Sequence, residues 1–169
     1  MSNRLDLVIF DNDGVLVDSE WHANGILAGL LTEYGLPCTR EDCNPRLHWQ
    51  HDGPHTQDRG GPDRHERIRL ALTTTGLLSY FDGRIFSAQD VARGKPEPDL
   101  LLHAARMLGI PPARCAVIED SPLGVEAANR AGMTAFGFAR MTPAERLCAA
   151  TGGVFARMDA LPALLARTR

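Results

Sequence analysis

The chain has 169 residues, 44% hydrophobic, 23% charged and 6% aromatic, with a formal net charge of -3. That length fits one domain, or one domain with a small appendage, and the hydrophobic share is too high for a disordered chain. The slightly acidic balance offers no general basic field for nucleic acid, and no apolar run approaches the roughly 18 residues that span a bilayer. Neither a nucleic-acid nor a membrane partner is therefore expected.

The start, Met1-Ser2-Asn3-Arg4-Leu5, leads into a strand-like run rather than a secretory signal, so the expected location is cytoplasmic. Cys38, Cys43, Cys115 and Cys148 form no CxxC pair and no zinc-type spacing. They read as free thiols in a reducing compartment.

Leu5 to Phe10 (LDLVIF) is short and nearly all apolar, the pattern of a strand buried on both faces. It runs into Asp11-Asn12-Asp13-Gly14. A helix is expected from about Ser19 to Tyr34, with Gly35 as its stop. From Cys43 to His65 the composition changes. This stretch holds four of the six histidines, three prolines and three glycines, and has no convincing period. It reads as an irregular loop. His48, His51 and His55 sit at helical spacings, but Pro45, Gly53 and Pro54 disfavour a helix there. A solvated loop is preferred to a metal site.

Order returns at Glu66. A helix is expected over Glu66–Thr75, a short strand over Arg84–Ser87, and a helix over Pro98–Leu108 with an apolar stripe of Leu101, Leu102, Ala105 and Leu108. Cys115–Ile118 reads as a second buried strand. Pro122–Ala131 reads as a helix, capped by Ser121 and stopped by Gly132. Thr134–Phe138 is a third strand, and Pro143–Ala150 and Ala160–Leu165 read as helical. Strands alternating with helices give an α/β domain with a parallel sheet.

In such sheets ligands sit beyond the carboxyl ends of the strands. Asp11 and Asp13 follow the first strand, and Glu119 and Asp120 follow the CAVI strand. Lys95 lies in Gly94-Lys95-Pro96-Glu97-Pro98-Asp99, just before a helix. Four carboxylates and one lysine should then converge on one edge. Carboxylates that close repel each other, and a hard cation such as magnesium relieves the repulsion. A carboxylate can also serve as a nucleophile and form an aspartyl-phosphate, with the cation and the lysine offsetting phosphoryl charge. Each piece alone is more often a turn or a cap; the ordered combination is far more specific.

DNDGVLVDSE at 11–20, GKPEPD at 94–99 and VIEDSPLGVEAANRAGM at 117–133 closely resemble the haloacid dehalogenase superfamily. The likeness is nearest to its phosphatase and β-phosphoglucomutase-like branch, which includes 6-phosphogluconate phosphatases. It covers roughly 5–40 and 66–169. The resemblance implies a Rossmannoid, three-layer parallel sheet with a truncated helical cap. The core would be 1–18 with 66–169, and the cap remnant and loop 19–65.

The resemblance further implies that Asp11 is the nucleophile and Asp13 the general acid and base. Lys95 would bridge the nucleophile and the phosphoryl group. Magnesium would be held by Asp11, the backbone carbonyl of Asp13, and Asp120, with Glu119 assisting. The second aspartate, Asp13, argues against dehalogenase chemistry. Gly14 to Asp18 resembles the flap leading to the cap.

The chain departs from the family in two places. The family carries a Ser or Thr, at the end of another core strand, just before the helix that here starts near Glu66. This sequence has Gly60-Gly61-Pro62-Asp63-Arg64, and Thr56 is the nearest upstream hydroxyl. The interval that normally holds the cap is also short, roughly 40 residues. Most of a cap and one strand therefore read as missing, which should leave a costly gap inside the sheet next to the first strand. An out-of-frame or deleted segment around 43–65 would account for this; a second chain, or Arg46 to Gln50, would fill the gap.

The expected function is a magnesium-dependent phosphatase-type hydrolase acting on a small phosphorylated metabolite, such as a sugar phosphate. A phosphomutase and a non-catalytic binding remnant are the alternatives.

Overall fold

The computed structural model describes residues 4–18, 32, 33, 39 and 64–168. The chain divides into two units, 1–17 with 63–169, and 18–62. The expected helix Ser19–Tyr34, the histidine-bearing stretch up to Pro62, Thr56, Cys38 and Cys43 lie outside the described residues, apart from Thr32, Glu33 and Thr39.

In chain order the core unit contains β1 (Leu7–Phe10), α1 (Arg64–Thr74), α2 (Leu78–Phe81), α3 (Asp99–Met107) and β2 (Cys115–Glu119). It continues with α4 (Pro122–Arg130), β3 (Thr134–Phe138), β4 (Gly153–Phe155) and α5 (Leu161–Arg167). The four strands form one parallel sheet in the order β1-β2-β3-β4.

The period-2 alternation of β2 divides the core. Cys115 and Val117 face one side, with Leu101 and Ala105 of α3 and Val125, Ala127 and Ala128 of α4. Ala116 and Ile118 face the other, with Phe136, Phe138, Phe155 and Leu161. Helices on both faces of a parallel sheet make a three-layer α/β core, as expected. All five β2 residues are buried, so a run with no polar alternation is what this position requires.

Five expectations change. First, β1 lies at an end of the described sheet and its four residues are only half-buried. Among the described residues the sheet is continuous from β1 to β4, and the segment expected to lack the neighbouring strand lies outside them. Second, Arg84–Ser87 is not a strand. Ser87 instead caps a 3-10 turn at Ala88–Asp90, accepting from the Gln89 amide while its own amide donates to Asp90. Local caps satisfy groups that a ladder would otherwise have to pair.

Third, Pro143–Ala150 contains only a 3-10 turn, Ala144–Leu147, because just Leu147 and Ala150 find burial there. Fourth, β4 was not expected; at three residues with a glycine it is too short to carry a periodic signal. Fifth, the short helix α2 was not expected either. Helix α4 forms as expected: Ser121 accepts from the Gly124 amide at 3.0 Å and Pro122 fills the first turn.

Candidate active site

Register brings the acidic groups together. Phe10 pairs with Ile118, so the chain leaves β1 at Asp11 beside the end of β2 at Glu119 and Asp120. The Asp11 amide donates to the Ile118 carbonyl at 3.0 Å, which extends the ladder by one bond and fixes the Asp11 backbone. One carboxylate oxygen from each of Asp11, Glu119 and Asp120 lies within 4.8 Å of the others. Glu119 is 1% exposed, while Asp11 and Asp120 are half-buried.

Lys95 reaches in from the loop before α3. Its Nζ donates to Asp11 Oδ1 at 2.8 Å and also to Glu119 Oε1. Lys95 is the only lysine of the chain. Ser121 donates its hydroxyl to Glu119 Oε2 at 2.9 Å, so the buried glutamate is held from both sides. The backbone of Asp13 closes a tight loop, with the Gly14 amide donating to the Val17 carbonyl at 2.9 Å. The Asp13 side chain is exposed and lies outside the group of three carboxylates. It accepts from Asn12 Nδ2 at 3.2 Å.

Two glycines make room for this packing. Gly14 has φ +76°, and a Cβ there would overlap the Asp120 carboxylate. A Cβ at Gly124 would overlap the Glu119 carboxylate. Neither glycine stands out in the sequence until it is known which carboxylates face it; the Ser-Pro-Leu-Gly opening of α4 is the only local signal.

Three carboxylates around one ammonium leave an excess of negative charge. Burial alone would depress the Lys95 ammonium, but Asp11 and Glu119 outweigh it and hold the lysine well above its ordinary range. Burial, helped by the Asp11 charge, pushes Glu119 up against the pull of Lys95. Burial and the charges of Asp11 and Glu119 push Asp120 up to about 7. A proton or a cation would offset that excess. Hard oxygen donors, no thiol or imidazole in the group among the described residues, and two glycine cradles that keep the carboxylates close fit magnesium better than a transition metal.

A solved structure of a conserved haloacid dehalogenase-like protein of unknown function from Agrobacterium tumefaciens superposes with a TM-score of 0.72. It is 31% identical, over 96% of this chain and 98% of that one. The haloacid dehalogenase-like hydrolase family also matches residues 59–132 directly. The chain belongs to the haloacid dehalogenase-like hydrolases.

Two curated relatives share only part of their length with it. The validoxylamine A 7'-phosphate phosphatase of Streptomyces hygroscopicus is 42% identical over 80 residues, 47% of this chain and 37% of that protein. The β-phosphoglucomutase of Bacillus subtilis is 49% identical over 90 residues, 47% of this chain and 40% of that protein. The chain thus matches well under half the length of these relatives. Within this haloacid dehalogenase-like core, Asp11, Lys95, Glu119 and Asp120 converge as the sequence leads one to expect. Asp13 stands beside them rather than among them.

Proposed function

We propose that the chain is a magnesium-dependent phosphatase-type hydrolase acting on a small phosphorylated metabolite, with sugar phosphates as the substrate class. The observation that carries this reading is the Asp11, Glu119 and Asp120 group with Lys95 bound to one oxygen of Asp11. Lys95 occupies Asp11 Oδ1, which leaves Oδ2 for attack on phosphorus. In the first step a bond forms from Asp11 to phosphorus and the bond to the ester oxygen breaks. Asp13 gives its proton to that oxygen. In the second step Asp13 takes a proton from water, the water oxygen attacks phosphorus, and phosphate leaves with Asp11 restored.

Asp13 is given this part because its side chain is exposed to solvent and lies outside the buried group, two residues from Asp11. Asp11, Glu119 and Asp120, with the Asp13 backbone carbonyl, are the groups that would hold magnesium. When bound, magnesium neutralises charge on the phosphoryl oxygens.

The match to a phosphoglucomutase supports a second reading, phosphoryl transfer between two positions of one sugar. Both readings share the two aspartates and part in their products. Incubation with magnesium and a panel of hexose and pentose monophosphates, followed by assay of free phosphate and of isomerised sugar phosphate, separates them. Free phosphate is the expected product. Isomer without phosphate supports the mutase, and neither product from folded protein points to a binding remnant.

A further inference from the structure

The loop that delivers Lys95 is held by a chain of ion pairs on its outer side. Arg93 makes a two-pronged contact with Asp99, in the first turn of α3, with Nε to Oδ2 at 3.0 Å and Nη2 to Oδ1 at 2.8 Å. Its third nitrogen, Nη1, lies 3.5 Å from Glu97 Oε2. Glu97 Oε1 in turn accepts from Arg130 Nη1 at 2.9 Å, and Arg130 Nη2 donates to Glu126 at 2.5 Å. Arg130 and Glu126 belong to α4, the helix that follows directly on Glu119 and Asp120. Inside the loop the Glu97 amide donates to the Gly94 carbonyl at 3.0 Å.

The same few residues thus span both flanks of Lys95 and fasten its loop to the helix behind the acidic group. A single exposed ion pair contributes little. A two-pronged arginine–carboxylate contact inside a network is the geometry in which such pairs do count. The Lys95 stem is flexible and its ammonium is held at the tip by Asp11 and Glu119, so a fixed loop lowers the cost of keeping Nζ there.

We propose that Arg93 and Glu97 are positioning residues for Lys95: by tying the 93–99 loop to α3 and α4, they keep the Lys95 ammonium on Asp11 and Glu119. For catalysis the proposal rests on the hydrolase reading above. For the position of Lys95 it does not, because the side chain can be observed directly. As the only lysine, Lys95 gives a single signal when lysine is labelled with carbon-13 at its ε carbon.

The experiment compares wild type, Arg93→Ala, Arg93→Lys and Glu97→Gln. Arg157→Ala, whose partner is Asp159 near the start of α5, is the charge-matched control. In Arg93→Ala the Lys95 signal should narrow and move toward the position of free lysine. kcat should fall about three- to tenfold, with KM changed less than about twofold. Arg93→Lys, which adds a second lysine signal and is therefore read by kcat, should recover part of the rate; Glu97→Gln should show a smaller change of signal and rate in the same direction, and Arg157→Ala should show none. Salt at ~0.5 M should reproduce part of the shift in wild type and little of it in Arg93→Ala.

An unmoved Lys95 signal in folded Arg93→Ala overturns the proposal, even if kcat falls with melting temperature. Should Arg93→Ala fail to fold, the Lys95 signal of Glu97→Gln decides in the same way. Wild-type protein without turnover sinks the hydrolase reading alone, since the Lys95 signal still decides the positioning.

Discussion

At the scale of single residues, the site is an electrostatic imbalance held in place by packing. Glu119 is buried, Lys95 bridges it to Asp11, and Asp120 is left with the charge that the lysine does not cover. The Asp120 carboxyl, raised to about 7 by burial and its two acidic neighbours, should therefore compete with metal for its proton. Its folded value lies above the unfolded 3.8, so the metal-free folded state binds the extra proton between those values. Metal-free stability from this group is present at low pH and is lost as pH rises toward 7. Magnesium, which needs the ionised form, should bind about tenfold more weakly at pH 6 than at pH 8. Calorimetric titration at the two pH values checks this; equal affinity would show that magnesium displaces no proton from Asp120 in this range.

At the scale of elements, the parallel register of β1 and β2 does the assembly. It sets Asp11 beside Glu119 across more than a hundred residues of sequence. Helix α4 then has to approach the sheet closely, and its inner face is built from small residues, with Ala127 and Ala128 fully buried. Enlarging that face should lever the helix away from Glu119. Ala128→Leu should cost about 1–3 kcal/mol of folding stability by overpacking, read by denaturant unfolding. A change below about 0.5 kcal/mol would show that α4 has room to spare.

The elements also show what the sequence made legible. Apolar runs such as CAVI and the Ser121–Pro122 cap were clear because burial and capping each demand particular residue types. Arg84–Ser87 misled because β-branched and aromatic residues also suit an extended segment whose polar groups are capped locally. The turn at Ala144–Leu147 misled because helical composition persists where only one turn is packed. The Arg93–Glu97–Arg130 network was not legible, since α4 meets the Lys95 loop only through the fold.

At the scale of the whole molecule, the core unit carries Asp11, Glu119, Asp120 and Lys95 on a sheet of four described strands in which β1 is at one end. The Gly60-Gly61-Pro62 stretch, where the family's phosphate-binding hydroxyl would fall, and the segment taken for a cap remnant lie outside the described residues. No described helix is long and apolar enough to cross a membrane. The described free cysteines are Cys115, buried, and Cys148, exposed.

The central claim is that Asp11 is a nucleophile working in a magnesium-dependent group. The measurement that tests it most directly is phosphate release from a generic aryl phosphate, with and without magnesium, by wild type and by Asp11→Asn. Wild type should turn over only with magnesium, and Asp11→Asn should lose at least about a thousandfold while keeping its melting temperature. Turnover that survives Asp11→Asn, or that proceeds equally in chelator, would contradict the account.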